Sequence, residues 1–176
     1  MGTNRLIYLP YLIGERTPHI DPDARGVFFG LSAIHEKRDL IRAIMEGVAF
    51  SLLDALNLIK TTSVGIDEMF LCGGGGTSPL WRKIICDIFD CPVKTIISKE
   101  GSAIGVALLS AVVSGIYKSV QEAAAIAIKT DTVCYPKIKN TKEHMMKYYK
   151  IYRNLYPTLK EVFKKLSKIS GATHTF

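Results

Sequence analysis

An α/β fold is what this sequence predicts, on three observations. Residues 69–113 run in the order strand, glycine turn, helix, strand, helix, which calls for some parallel pairing. Two short apolar runs, residues 6–9 and 27–29, precede a long helical repeat and are short enough to pair antiparallel. About half of the 176 residues are apolar, enough for a core of ordinary size.

The elements follow in order. Residues 6–9 read as a strand, and 27–29 as a second. Between them, residues 10–26 are rich in Pro, Gly, Asp and Arg, so they are either a long ordered loop or a disordered segment. Ile34, Leu40, Ile41, Ile44, Met45, Val48, Leu52, Leu56 and Ile59 recur at three and four residues and set a helix over 37–60. Gly47 inside it costs about 0.5–1 kcal/mol against alanine, so it should admit another backbone. Residues 68–72 read as a buried strand. Ser78 caps the next helix, with Pro79 at its first position, where a missing N–H costs nothing. Residues 92–97 form a β-branched strand. Residues 102–113 are a helix whose Ala103, Gly105, Ala107 and Ala111 align for close packing. A short helix covers 120–128. A long amphipathic one covers 141–166, with Met145, Tyr148, Tyr149, Tyr152, Leu155, Tyr156, Leu159, Val162, Phe163 and Leu166 on one side and a kink expected at Pro157.

Charge is uneven. The formal net charge is +7, yet residues 137–168 alone carry about +8. A nucleic-acid reading would need that segment to present a basic face; the regular apolar stripe through it argues for docking on the core, with the lysines solvated. No nucleic-acid partner is expected. No run reaches the ~18 apolar residues of a membrane span, and the N-terminal residues show no signal-peptide pattern, so a cytoplasmic location and no membrane partner are expected. Cys72, Cys86, Cys91 and Cys134 lack metal-ligand spacing and read as buried free thiols. The histidines are scattered, and no metal ligand is assigned.

The chemistry-bearing stretch is CGGGGTSPLW, residues 72–81. Glycines between a strand end and a helix start remove Cβ atoms, so a ligand can lie on the backbone. They also aim free N–H groups at an anion or a polar ring edge. Nucleotides satisfy both. No lysine follows Gly76 as in a P-loop, and Pro79 or Leu80 stands where a dinucleotide fingerprint needs its third glycine. The stretch alone thus leaves two readings: a nucleotide or phosphate close to the backbone, or a tight turn whose glycines serve sheet-to-helix packing.

Several segments together resemble the FGGY family of carbohydrate kinases, and within it the xylulose kinases. Gly26, Phe28, Gly30 and Leu31, then Asp39, Leu40, Ala43, Ile44, Met45 and Glu46, fit a family signature at its fixed positions. LCGGGGTSPLWRKIICDIFDCPV resembles the adenosine-binding segment, EGSAIGVALLSAV the hinge-crossing helix, and YKIYRNLYPTLKEVF the C-terminal helix. GERTPH favours xylulose kinases over glycerol or gluconate kinases. The resemblance covers residues 6–163. It implies the C-terminal, nucleotide-binding lobe of a ribonuclease-H-like fold of the actin and hexokinase type over residues 1–170, with a frayed tail at 171–176.

It further implies ATP as phosphate donor, Mg²⁺ on the phosphates, and a sugar bound only in the complete enzyme. The N-terminal lobe, with the sugar pocket and the catalytic aspartate, is expected upstream of Met1, so the chain alone is expected to be inactive. Asp21, Asp23, Asp39 and Asp54 fall outside the motif that holds the base, and no catalytic residue is assigned. The resemblance places Gly74, Gly75 and Gly76 beside adenosine and α-phosphate, Ser78 and Pro79 at the base or ribose, and Gly30 and Ser32 at a strand end facing the phosphates. Ser32 is alternatively a helix cap. Arg16 and Arg25 either reach phosphate or tie down their loop through Asp21 or Asp23. Glu46 fits a structural hydrogen bond, and Trp81 fits packing better than adenine stacking. A non-catalytic partner, half of a split kinase, or a homo-oligomer are the alternatives, since the small-residue face over 103–111 needs a cover.

Overall fold

The computed structural model describes residues 3–62, 65–66, 69–97, 101–136 and 140–169. Residues 1–65 and 138–176 form one compact unit, and 66–137 a second. The expected tail at 171–176 and Glu68 lie outside the described residues.

In the first unit, β1 (Ile7–Leu9) and β2 (Val27–Phe29) pair antiparallel, with Tyr8 opposite Phe28. The loop between them is ordered: Glu15 and Asp21 exchange backbone hydrogen bonds, and Tyr11 and Ala24 are buried. Arg25 holds this loop through the carbonyls of Pro22 and Ala24, both 2.7 Å away, rather than through Asp21 or Asp23. Arg16 is exposed. Helix α1 (Lys37–Lys60) starts at Glu36, whose N–H donates to Asp39 Oδ2 at 2.9 Å. The cap is therefore Glu36 and not Ser32, because Asp39 sits three residues on and completes a reciprocal pair.

Helix α1 buries a face shifted from the one its large apolar residues suggest: Leu56 of that stripe is buried and Leu40 packs against the core, but much of the stripe turns outward. Ala43, Gly47, Ala49, Phe50 and Leu53 face inward, while Ile41, Ile44, Leu52 and Ile59 stay exposed. Gly47 explains the choice. A Cβ there would stand 2.2 Å from the Tyr8 carbonyl oxygen, so β1 lies directly on the helix backbone. That approach turns the small-residue face toward the sheet. Glu46 travels with it and is buried, its carboxylate held by Arg42 Nε at 2.6 Å. Arg42→Ala leaves that carboxylate buried without its cation and should lower the unfolding free energy by about 1–3 kcal/mol. Chemical denaturation checks this; Glu46→Gln, which loses the buried charge and with it the need for a cation, should cost less.

Helix α5 (Asn140–Ser167) runs unbroken through Pro157. Met145, Tyr149, Tyr152, Leu155, Tyr156 and Phe163 bury one face, so the stripe docks as expected; Val162 and Leu166 fall outside it. Phe50 meets Tyr149 and Tyr152 at ring-centroid distances of 5.6 and 5.4 Å. Tyr11 and Tyr152 share a hydroxyl hydrogen bond of 3.2 Å.

In the second unit, residues 69–71 pair with β3 (Val93–Ile96) through one parallel bridge, Phe70 to Lys94. Leu71 N–H donates to the Lys94 carbonyl and Lys94 N–H to that of Met69. This is the parallel pairing expected, but the buried strand shrinks to a bridge with Phe70 41% exposed. It has β3 as neighbour on one edge, and β3 spends its other edge on β4 (Thr130–Cys134), antiparallel. Helix α2 (Pro79–Phe89) buries Ile84, Ile85, Cys86 and Ile88 and closes at Asp90 in the left-handed conformation, φ 55°. Helices α3 (Gly101–Val113) and α4 (Val120–Ala127) follow. The close packing expected at Ala103, Gly105 and Ala107 is not formed among the described residues: all three are exposed, and no atom lies within 4 Å of a Cβ at Gly105.

The cysteines differ from the reading of four buried thiols. Cys86 is buried and Cys72 exposed, with Cys91 and Cys134 between. Cys86 Sγ donates to the carbonyls of Cys91 and Cys134 at 3.1 and 3.0 Å. Burial pushes its thiol up to about 12. Because the thiolate is the reacting species, iodoacetamide on the native chain should label Cys72 first. Cys86 should react only after unfolding, as peptide mass spectrometry would show.

Candidate functional site

The glycine turn sits where residues 69–71 leave β3 and α2 begins. Gly74–Thr77 make one 3₁₀ turn, and Ser78 Oγ accepts the Trp81 N–H at 3.3 Å as the N-cap of α2. Pro79 is the first helical residue, as expected. Each glycine has its own reason. Gly76 is forced by the chain, since a Cβ there would stand 2.7 Å from the Leu71 carbonyl oxygen. Gly75 is forced by the Trp81 ring, with Nε1 2.9 Å from its Cβ position. Gly73 takes φ +75°, where side chains are strained, yet no atom of the described residues lies within 4 Å of its Cβ position. Gly74 has neither reason: no positive φ, and no atom of the described residues within 4 Å of its Cβ position.

So the turn is half packed and half open. Trp81 packs on Gly75, in keeping with a packing role. Arg82, which sequence reasoning passed over, braces the turn by donating from Nη1 to the Gly76 carbonyl at 2.8 Å. Gly73, Gly76, Arg82, Cys72, Thr95 and Asp131 line a small cavity of about 70 Å³. The open side presents a backbone bare of Cβ atoms at Gly73 and Gly74, next to a capped helix N-terminus. Such a surface suits a flat or anionic ligand laid on the main chain.

Gly30 and Ser32 belong to the first unit. Gly30 has φ +86°, and a Cβ would stand 2.5 Å from the Arg5 carbonyl oxygen, so its glycine is dictated by the fold. Ser32 closes a turn with His35. Its N–H donates to His35 Nδ1 at 2.9 Å, and His35 Nε2 is 3.1 Å from the Asn4 carbonyl oxygen, which fixes Nε2 as the protonated nitrogen. Gly30 and Ser32 line a cleft of about 810 Å³ with Arg5, His144, Lys147 and Tyr148. Arg5, Lys147 and Tyr148 were invisible as site residues in the sequence, because the α5 residues lie more than 100 positions from Gly30, and there Tyr148 reads as part of the apolar stripe and Lys147 as a solvated lysine.

Among the described residues, no three His, Cys, Asp or Glu side chains stand together as a metal site, and no helix is long and apolar enough to cross a membrane.

Comparisons with known proteins agree on one family. Residues 2–114 match the sequence profile of the FGGY family of carbohydrate kinases, C-terminal domain. The chain is 35% identical over 162 residues to the xylulose kinase of Bacillus subtilis, covering 92% of this chain and 32% of that protein. Its structure resembles ligand-bound xylulose kinase from Lactobacillus acidophilus, with a TM-score of 0.82 and 31% identity over 94% of this chain and 33% of the other. It resembles a gluconate kinase from the same organism almost equally, with a TM-score of 0.81 and the same identity. The chain spans about a third of the length of these relatives.

Proposed function

The chain belongs to the FGGY family of carbohydrate kinases, and on that footing we propose that it is the nucleotide-binding part of an ATP-dependent sugar kinase of the xylulose type. The observation that carries this reading is Gly74, which takes no positive φ and whose Cβ position has no atom within 4 Å among the described residues. In this reading adenosine and the α-phosphate lie against Gly74, with Gly75 and Gly76 setting the turn and Ser78 and Pro79 edging the base or ribose. Gly30 and Ser32, in a cleft with Arg5 and Lys147, receive phosphate. ATP supplies the γ-phosphoryl group when bound, and Mg²⁺ would neutralise its charge; we assign the metal no ligand among the described residues. What these residues contribute is positioning and N–H donors, the main currency of phosphoryl transfer. The sugar pocket and catalytic base belong, in this proposal, to the other two thirds of the relatives' length, and this chain alone turns over no sugar. ATP dependence also favours the cytoplasm.

A second reading is a separate chain that works with a partner, either a catalytic N-terminal half or another copy. Uncovered apolar faces favour it: Ile41, Ile44 and Leu52 on α1, and Val106, Leu109 and Val113 on α3, the last 89% exposed.

Trp81 provides the test, because its ring lies on Gly75 and it is the sole tryptophan. Titration with ADP or Mg·ATP should change its fluorescence saturably. Xylulose phosphorylation should be absent for the chain alone and appear once the N-terminal part of a xylulose kinase is added. A cooperatively folded chain whose emission ignores nucleotide both alone and with that partner would rule the nucleotide reading out.

A further inference from the structure

A second cleft in the first unit is built from parts the nucleotide reading does not use. It encloses about 590 Å³ between the loop of the GERTPH motif and α5, with Asp54 of α1 among its lining residues. Pro18 and His19 come from the loop, and Lys150, Arg153 and Asn154 from α5. The loop is pinned at this mouth: the His19 ring stacks on Tyr156 at 3.7 Å and 11°, and Tyr156 hydroxyl donates to Asp21 Oδ2 at 2.8 Å. The loop wall of the cleft is therefore fixed by aromatic packing on α5, while Lys150, Arg153 and Asn154 stand exposed at its rim.

Asp54 is the unusual group. Its side chain is only 7% exposed. The two groups that approach it share one oxygen, Oδ1: the Tyr149 hydroxyl donates to it, and Arg153 Nε stands 3.5 Å away. Tyr149 is itself fixed by Asn57 Nδ2 at 2.9 Å. Among the described residues Oδ2 takes no hydrogen bond, and no buried side-chain oxygen there lacks a partner, so Oδ2 is reached from the cleft. Burial raises the Asp54 carboxyl above the ordinary range, a strain that a donor at Oδ2 would relieve. Around the same cleft Lys150 has no ion-pair partner among the described residues, and Arg153, whose side chain is 64% exposed, pairs with Asp54 Oδ1 at 3.5 Å. Burial holds His19 below its usual value, so it acts as a neutral hydrogen-bonding ring. Lys160, Asp21 and Glu15 bear on His19, Tyr11 and Tyr156 from the surrounding elements, and Asp21 and Glu15 are occupied by Tyr156 and by the Thr17 N–H.

We propose that this cleft binds a small hydroxylated anion, a polyol that carries a phosphate or carboxylate group. The two halves of that chemistry answer the two open features: hydroxyl groups donate to Asp54 Oδ2 and Asn154, and the anionic end meets Lys150 and Arg153. A bare anion would meet the Asp54 carboxylate, and a bare polyol would leave Lys150 unpaired. The site is separate in residues from the glycine turn, and it stands whether or not nucleotide binds there.

Calorimetric titration of the 176-residue chain tests it, with glycerol 3-phosphate and gluconate as probes and inorganic phosphate and xylitol as their separated halves. One hydroxylated anion should bind at a single site at least tenfold more tightly than phosphate or xylitol, which also tells a phosphorylated from a carboxylated ligand. Lys150→Ala, at an exposed position that does not threaten folding, should weaken it fivefold or more. Asp54→Asn should do so as well, with circular dichroism confirming the fold. ADP should not compete. Binding of neither probe at millimolar concentration, equal binding of phosphate, binding untouched by Lys150→Ala, or displacement by ADP would each overturn the proposal.

Discussion

Gly47→Ala should cost about 2–3 kcal/mol of stability and lower the thermal midpoint by on the order of 5–10 °C. In an isolated helix the same change would gain about 0.5–1 kcal/mol. The sign reverses because the new methyl would stand 2.2 Å from the Tyr8 carbonyl oxygen and 3.0 Å from its carbon, both backbone atoms of β1. A side chain can rotate away from such a contact, but β1 is paired with β2 and cannot shift alone. Gly105→Ala on α3 is the control. Its Cβ would meet open space, so the helix-propensity gain should appear in full as a slightly higher midpoint. If the small-residue face of α3 is covered in the complete protein, Gly105→Ala should also weaken that docking. One substitution would then stabilise the chain and loosen the assembly.

Much of the fold was legible because its signals are local. The span of α1 and the Ser78 cap with Pro79 behind it are each set by residues within a turn or two, and Gly47 stood out because a mid-helix glycine is costly there, although its partner, the Tyr8 carbonyl, is 39 positions away. The FGGY resemblance was legible for the same reason, resting on fixed residues at fixed spacing from Gly26 to Glu46. What failed was the choice of face. Of the apolar stripe on α1, Leu56 is buried and Leu40, Met45 and Val48 are half-buried, but Ile41, Ile44, Leu52 and Ile59 stay exposed, and the structure buries Ala43, Gly47 and Phe50 beside them. Periodicity says that a face wants cover; it does not say that the cover is in the same chain. The same limit explains Ala103 and Gly105 on α3. Ser32 was weighed as a cap because serine is a good one, but a Glu36 and Asp39 pair lay nearer the helix and won. The clefts were not legible at all. Asp54, His19 and Arg153 meet from three distant segments, and only the docking of α5 brings them together.

Gly74→Leu should leave the unfolding free energy within about 1 kcal/mol of the parent while weakening ADP binding tenfold or more. The first half follows from the chain. Gly74 has no positive φ, and among the described residues nothing lies within 4 Å of its Cβ position, so the new side chain enters space free of their core. The second half follows from the proposed site. A ligand laid on the main chain at Gly74 would collide with a branched side chain that the protein itself tolerates. Gly76→Ala is the necessary contrast, because its Cβ would press on the Leu71 carbonyl oxygen at 2.7 Å; it should lower stability, and any loss of binding there would be ambiguous. Gly74 alone separates the two readings of the four glycines. Intact stability with lost binding means that the turn is kept open for a nucleotide. Lost stability would mean that Gly74 serves the fold, and unchanged ADP affinity would mean that the nucleotide does not lie on this turn.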